Sequence, residues 1–393
     1  MRYFIKEDDI EQELIDVCMN ELHYDHHFDC MNIDHLHRKN EVEVLNLDVL
    51  RQAIRSVNNE ATDRPQGMTD AEVEQAIDAI RASDLNVDGH ILNQRILTTI
   101  ISGCRMQVLQ SNGHKELRTV HYIDWKEGNA DNNQFDVINQ LWIQGQVYRL
   151  RPDVIVYING IPLVTIELKD SNIPVREAYD NNLTRYKAAI PQIMAYNAFL
   201  VASNATKTRL GSTFADWTYF SPWFRASEDE KADKEQLEAD KTTLDAMARS
   251  LLKKENLLNY IANYILFYKG TNKICAKNHQ FLGVNRAVER FRYLQFGKPK
   301  ADEQGKMGVF WHTQGSGKSF SMVFLARYLK NRFQGNYTFL VITDREDLDD
   351  QIYRNFLHSG FMSEQEDCRP QSSERLREML TEDHRILFSL IQK

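Results

Sequence analysis

The sequence predicts an α/β protein in two parts: a mixed-sheet domain, then a parallel sheet wrapped by helices around a glycine-rich loop. Three observations carry this. Two apolar runs, DVIVYI (153–158) and IPLVTIELK (161–169), flank Asn159-Gly160, the preferred pair for a two-residue type I′ hairpin turn. After a highly charged stretch, strand-like and helix-like runs alternate, which implies parallel strands joined by helical crossovers. Gly315-Ser316-Gly317-Lys318-Ser319 stands between a strand-like run and a helix.

Size and composition set bounds. The 393 residues suffice for two or three domains, and 42% hydrophobic with 26% charged residues is ordinary for a soluble globular chain. No apolar run approaches the ~18–20 residues of a membrane span. MRYFIKEDDIEQ has no secretory core. The five cysteines are scattered, odd in number and without CxxC spacing, so a disulfide framework is not expected and a reducing cytoplasm is. A net charge of -8 does not favour a protein that coats DNA through bulk positive charge, and does not exclude one that confines basic residues to a groove.

Along the chain, residues 1–225 are expected to form the first domain. EDDIEQELIDVCMNEL places Ile10, Leu14, Val17 and Leu22 at helical spacing. Thr69 with Glu72 makes a capping box that starts a helix. Residues 115–125 and 134–150 are rich in β-formers, the Asn159-Gly160 hairpin follows, 175–190 reads as a helix and AFLVASN (198–204) as a buried strand. Residues 226–258 are dense in charge and read as a solvated helical connector. Residues 259–393 supply the second domain: VFWH as a strand, the glycine loop, SFSMVFLARYLKNRF and EDLDDQIYRNF as helices, and YTFLVIT and RILFSLI as strands.

Two groups of residues point to chemistry. In the glycine loop, backbone N–H groups would face phosphate oxygens at a helix N-terminus. Lys318 would reach the β- and γ-phosphates, and Ser319 would ligate Mg²⁺. His312 stands where the common form of the loop has its first glycine. The second group is Asp153 with Glu167-Leu168-Lys169. Glu167 and Lys169 share one face of a strand, and a hairpin can bring Asp153 against Glu167 at its open end. Two carboxylates and the Leu168 carbonyl suit Mg²⁺, and Lys169 can orient or deprotonate water. The competing reading is an exposed charge pair at a strand end.

The strings NNQFDVINQLWI and RLRPDVIVYINGIPLVTIELKD together resemble the nuclease domain of type I restriction enzyme restriction subunits. WHTQGSGKS, with its Thr313 and Gln314, resembles motif I of the motor in those subunits, and VITDREDLDDQI and ILFSLIQK resemble the segments after it. The likeness covers nearly the whole chain in that family's nuclease–motor order. It implies a PD-(D/E)xK nuclease with Asp153, Glu167 and Lys169 as catalytic residues, then the first RecA-like motor domain. By the same resemblance, Mg²⁺-dependent cleavage of double-stranded DNA is coupled to ATP-driven translocation in a complex with methylase and specificity subunits. S-adenosylmethionine enters only through the methylase. The family's Q-x-x-x-Y helix aligns with Asn182 and Tyr186, a shorter amide replacing the glutamine, whereas Gln192 with Tyr196 copies it by chance. Glu11 is a candidate further acid, and Gln280 a candidate reader of the adenine.

In that family the motor continues to a Walker B acid and a second domain with an arginine finger. Neither stands in these residues, so the expectation is a fragment that hydrolyses ATP negligibly by itself and does not translocate DNA. The alternatives are a catalytically silent nucleotide- or DNA-binding module and a P-loop ATPase of another kind. Two further patterns are set aside. Asp84 to Gly89 copies half an EF-hand loop, but Arg95 stands where its bidentate glutamate belongs. The cluster His23, His26, His27, Cys30, His35 and His37 fits no standard zinc spacing.

Overall fold

The computed structural model describes residues 4–27, 38, 40–82, 85–226 and 242–392. The chain divides into two compact units, Met1–Ala262 and Asn263–Lys393.

The first unit is built on a seven-stranded mixed sheet. Its strands are β1 (Asp25–His27), β4 (Phe135–Asn139), β7 (Val154–Ile158), β8 (Ile161–Leu168), β9 (Phe199–Ser203), β10 (Thr208–Gly211) and β11 (Ser221–Pro222), adjacent in that order. β1 runs parallel to β4, and β8 to β9, while the other neighbours are antiparallel. Two smaller hairpins complete the set: β2 (Cys104–Leu109) with β3 (Lys115–Val120), and β5 (Ile143–Gln144) with β6 (Arg149–Leu150). Every residue of β7, β8 and β9 is buried. Strands covered on both faces read as continuous apolar runs rather than alternating ones, which is how they stood in the sequence.

The β7–β8 hairpin turns through Asn159 (φ 52°) and Gly160 (φ 77°), both left-handed as a type I′ turn requires. A side chain at Gly160 would place its Cβ 2.4 Å from the Asn46 carbonyl oxygen, so glycine is required twice over. Ile158 pairs with Ile161 and Tyr157 with Pro162, but Val156 pairs with Val164 and Val154 with Ile166. One extra residue on β8, a bulge next to a proline that cannot donate to the ladder, shifts the register. Continued one step, the shifted register sets Asp153 opposite Glu167. Without the bulge Asp153 would face Ile166.

The helices follow their sequence signals. α1 (Glu7–Asp16) continues into a wider π turn, Val17–Glu21, and buries Ile10, Leu14, Val17 and Leu22. α2 (Leu47–Val57) precedes α3 (Asp70–Ile80), which starts with the Thr69/Glu72 capping box, both reciprocal bonds being present. α4 (Gly89–Ser102) is N-capped by Asp88, whose carboxylate accepts from the backbone of His90 and Ile91. The Asp88-Gly89 pair of the EF-hand look-alike is thus a helix start, while Asp84 lies outside the described residues, as do Cys30, His35 and His37.

The expected solvated connector is corrected in part. Helix Thr243–Leu251 buries Leu244, Met247 and Leu251 in the first unit, and the following helix buries Leu257 and Ile261. Trp223 donates to Ser250, and Tyr24 to the Leu252 carbonyl. The dense charge of residues 227–241, which are not described, hid an apolar stripe that needed a core to cover it.

The second unit contains the hairpin β12 (Ile265–Tyr268) and β13 (Asn272–Cys275), and a parallel pair, β14 (Phe339–Thr343) and β15 (Ile386–Leu390). Helices Asn278–Phe296, Lys318–Arg332 and Glu346–His358 accompany them. VFWH forms no strand. Val309 and Trp311 stay exposed, and Phe310 lies against Gly283 of the helix Asn278–Phe296 instead of joining a ladder.

Replacing Gly160 with alanine forces a side chain into left-handed backbone against Asn46. Chemical denaturation should show a loss of about 1–3 kcal/mol.

Candidate active site

At the open end of the β7–β8 hairpin two carboxylates meet under cover. Asp153 is 6% exposed and Glu167 is fully buried. Asp153 Oδ2 accepts the Leu168 backbone N–H at 2.7 Å, a bond that locks it across the strand pair. Lys169 reaches back over the same end. Its ammonium lies 2.6 Å from the Leu168 carbonyl, 3.3 Å from Glu167 Oε1 and 3.4 Å from Glu7 Oε2. On the other side the Tyr186 hydroxyl donates to Glu167 Oε2 at 2.9 Å. Tyr186 sits on α5 (Thr184–Ala189), which follows a π turn, Ala178–Leu183. Asn182, one turn before Tyr186, lies close enough to influence the tyrosine hydroxyl.

The electrostatics follow from burial. Desolvation pushes Asp153 up to about 6, helped by the charges of Glu7 and Glu11 and opposed by the Leu168 N–H and Lys169. Glu167 is raised well above the carboxylate range, first by burial and then by Asp153. Burial pulls on Lys169 in the opposite sense, but Glu167, Asp153 and Glu7 outweigh it and hold the ammonium charged above its ordinary value.

Glu11 does not touch Asp153 directly. It accepts from Asn139 Nδ2 at 2.7 Å and from the Gln140 amide, which also lies 3.5 Å from Asp153 Oδ1. Gln140 holds left-handed backbone (φ 54°) and donates its N–H to the Asp153 carbonyl. A non-glycine residue kept there indicates that its surroundings fix it.

In the second unit, Gly317 N-caps helix Lys318–Arg332 in left-handed conformation. Lys318 donates to the carbonyls of His312 and Thr313 at 2.7 and 3.2 Å, folded over the loop formed by Gln314, Gly315 and Ser316. Ser319 is on the helix's first turn. Gln280 is buried. Its Oε1 accepts the Lys277 N–H, and its Nε2 donates to the Gly317 carbonyl at 2.9 Å. The residue expected at the adenine is engaged with the loop itself.

Residues 4–219 match the family model described as type I restriction enzyme R protein N terminus, which covers more than half of the chain. The chain belongs to this family. Residues 279–393 match the SWI2/SNF2 ATPase family. The chain is similar to the type I restriction enzyme HindI endonuclease subunit of Haemophilus influenzae, 33% identical over 363 residues, which is 89% of this chain and 32% of the relative. It is also similar to the type I restriction enzyme SauCOLORF180P endonuclease subunit of Staphylococcus aureus, 28% identical over 263 residues, 66% of this chain and 26% of the relative. The chain thus spans about a third or less of the length of these curated relatives.

For a member of this family, the structure brings together Asp153, Glu167, Lys169 and Tyr186, with Asn182 one turn away and Glu11 one bridge away. Sequence reading missed Glu7 and Gln140. Glu7 precedes Glu11 by four residues, so both occupy one face of α1, a signal that could have found it. Among the described residues no helix is long and apolar enough to cross a membrane.

A pH dependence follows. Because the native state holds Asp153 protonated up to about pH 6 while the unfolded chain releases that proton near pH 4, native protein binds more protons in that window. Stability therefore falls as pH rises from about 4 to 6. Asp153→Asn should stabilise the metal-free protein by about 1–3 kcal/mol at pH 7 and by little at pH 4. Melts in chelator at the two pH values check the difference.

Proposed function

We propose that Asp153, Glu167 and Lys169 are the cleavage centre of a PD-(D/E)xK-type DNA endonuclease that uses Mg²⁺. The observation that carries this reading is the pair of buried carboxylates at one strand end, Asp153 held by the Leu168 N–H and Glu167 by Lys169, which also bonds the Leu168 carbonyl.

The donor set fits a hard divalent cation. Carboxylate and carbonyl oxygens are its preferred ligands, and Mg²⁺ takes few protein ligands, leaving positions for water and phosphate. The Lys169 ammonium already lies against two of the three oxygens concerned, so this end of the hairpin draws positive charge. Asp153, Glu167 and the Leu168 carbonyl would hold the ion, which when bound would offset charge on the phosphate as its P–O bond breaks.

The chain's own groups do the rest. Lys169, kept charged, donates to the attacking water or to a phosphate oxygen and does not serve as the base in this state. Tyr186 fixes Glu167 from behind, so that Oε1 is the oxygen turned toward Lys169. Asn182 supports Tyr186 in the place of the family glutamine. Gln140 ties Glu11 to Asp153 and fixes the aspartate's orientation.

In the second domain the loop 313–319 would cradle ATP phosphates. Lys318 would exchange the His312 and Thr313 carbonyls for the β- and γ-phosphates, and Ser319 would ligate Mg²⁺. Gln280 acts on the loop through Gly317. The relatives are named as endonuclease subunits of type I restriction enzymes. By that likeness the chain takes part in restriction of double-stranded DNA, with cleavage coupled to ATP-driven translocation in a complex with methylase and specificity subunits.

The test is nicking of supercoiled plasmid by the purified chain, alone and with its methylase and specificity partners. Cleavage should require Mg²⁺ and fall at least ~100-fold in Asp153→Ala and Lys169→Ala, the scale expected when a preorganised catalytic group is removed. Lys318→Ala should remove nucleotide binding and leave the nuclease residues in place. Wild-type nicking rates in both nuclease variants would refute the assignment.

A further inference from the structure

The β5–β6 hairpin stands beside the carboxylates, and its return strand leads through Arg151 and Pro152 into Asp153. Its loop presents Val147, 77% exposed, and Tyr148, 54% exposed. The loop is nevertheless firmly seated. Gly145 donates to the Tyr148 carbonyl at 2.8 Å, Gln192 donates to the Gln144 carbonyl at 2.8 Å, and a Cβ on Gly145 would fall 1.8 Å from the Ala189 carbonyl oxygen. A rigid tip that keeps two large apolar side chains in water is arranged for contact with something else.

Between this tip and α5 lies a cleft of about 560 Å³, in the range that holds a small ligand. Its lining includes Tyr148, Arg185, Lys187 and His90, the last tilted against the Phe214 ring with centroids 4.6 Å apart. The Arg185 guanidinium lies over the Tyr148 ring, 5.4 Å from its centre. Although the chain carries a net charge of -8, no aspartate or glutamate is among the described residues lining the cleft. Arg149 is neutralised by two 2.6 Å bonds to Glu41, but among the described residues Arg151 and Arg185 pair with no carboxylate. Arg151, just after β6 and outside the cleft's own lining, lies over Trp142 at 5.2 Å, a second basic–aromatic pair next to the hairpin.

Arg185 immediately precedes Tyr186, which bonds to Glu167 and approaches the Arg151 carbonyl at 3.3 Å. Tyr148 and Asp153 are five steps apart along the chain, a span of at most about 17 Å, or about five base rises of a DNA strand. Unpaired arginines next to an exposed aromatic ring fit a strand with phosphates on its outside and a base free to stack.

We propose that this cleft holds the DNA strand adjoining the bond to be cut, with Arg151 and Arg185 on its phosphates and Tyr148 stacked on an unpaired base. The proposal rests on the nuclease reading above and adds to it the path of the strand and a preference for locally opened DNA.

The experiment is fluorescence anisotropy in chelator, using the full chain with a labelled single-stranded oligonucleotide and with a blunt duplex of the same sequence. Tyr148→Ala should weaken binding of the single strand about tenfold or more and change the blunt duplex little. The double variant Arg151→Ala/Arg185→Ala should weaken both and reduce the salt slope for the single strand by about 1.4. Arg118→Ala, on the separate β2–β3 hairpin, should alter neither. All replaced side chains are at least partly exposed, and melting curves confirm that each variant is folded. Three outcomes overturn the proposal: a wild-type chain that binds no DNA, single-strand binding unchanged in folded Tyr148→Ala, or losses no larger than those of Arg118→Ala. Loss of methylase-subunit binding with DNA binding intact also overturns it, since the cleft would then be a protein-docking surface. Because this assay involves no cleavage, nicking that ignored Asp153 and Lys169 would sink the catalytic assignment while leaving the strand path supported.

Discussion

The register of one hairpin decides which side chains meet where the chemistry is placed. The type I′ turn at Asn159-Gly160 starts β7 and β8 in one register, and the extra residue beside Pro162 moves them into another. A one-residue slip exchanges the two faces of a strand, so the shift brings Glu167 rather than Ile166 opposite Asp153. It also sets the Leu168 N–H on Asp153, while Lys169, two residues after Glu167, lies on the glutamate's side. Residues from other elements then close on this end: Glu7 and Glu11 from α1, Gln140 from the end of β4 and Tyr186 from α5.

What results is a site under electrostatic tension. Two buried carboxylates share a single ammonium; burial raises both, the charge of Asp153 raises Glu167 further, and those of Glu7 and Glu11 raise Asp153. The fold meets this locally with a backbone N–H on Asp153, a phenol on Glu167 and a glutamine held in left-handed backbone. Such an arrangement costs stability and leaves a demand for positive charge, which is the usual relation between a preorganised site and the scaffold that bears it. On the flank, unpaired arginines and exposed apolar side chains on a well-anchored loop extend the same pattern from the reacting groups to the strand they would act on.

Much of this was legible where local chemistry leaves a mark. Asn159-Gly160 announces positive φ, Thr69 with Glu72 announces a helix start, and the apolar runs at 154–158 and 161–168 announce buried strands. The bulge was not legible, because an extra residue in a uniformly apolar run changes no pattern. Its one trace is Pro162, which cannot serve a central ladder. Glu7 was missed because an acid in the first turn of a helix is ordinary, and only its spacing from Glu11 sets it apart. The helix Thr243–Leu251 was assigned to a solvated connector because neighbouring charges outweighed its apolar stripe. Conversely, VFWH has strand composition, but its pairing depends on neighbours that composition does not specify, and Phe310 packs on a helix instead. Gln280 shows the same limit for function, since its position beside the loop follows from tertiary packing alone.

The raised pair Asp153 and Glu167 is the proposed site of a divalent cation. Calorimetric titration of Mg²⁺ or Mn²⁺ into the metal-free chain near pH 6, in two buffers of different ionisation enthalpy, tests it most directly. Metal must displace protons from ligands whose pKa is raised. The account requires one site whose binding releases protons to the buffer and which is lost in Glu167→Gln. Binding without proton release, or binding that persists in Glu167→Gln, would contradict it.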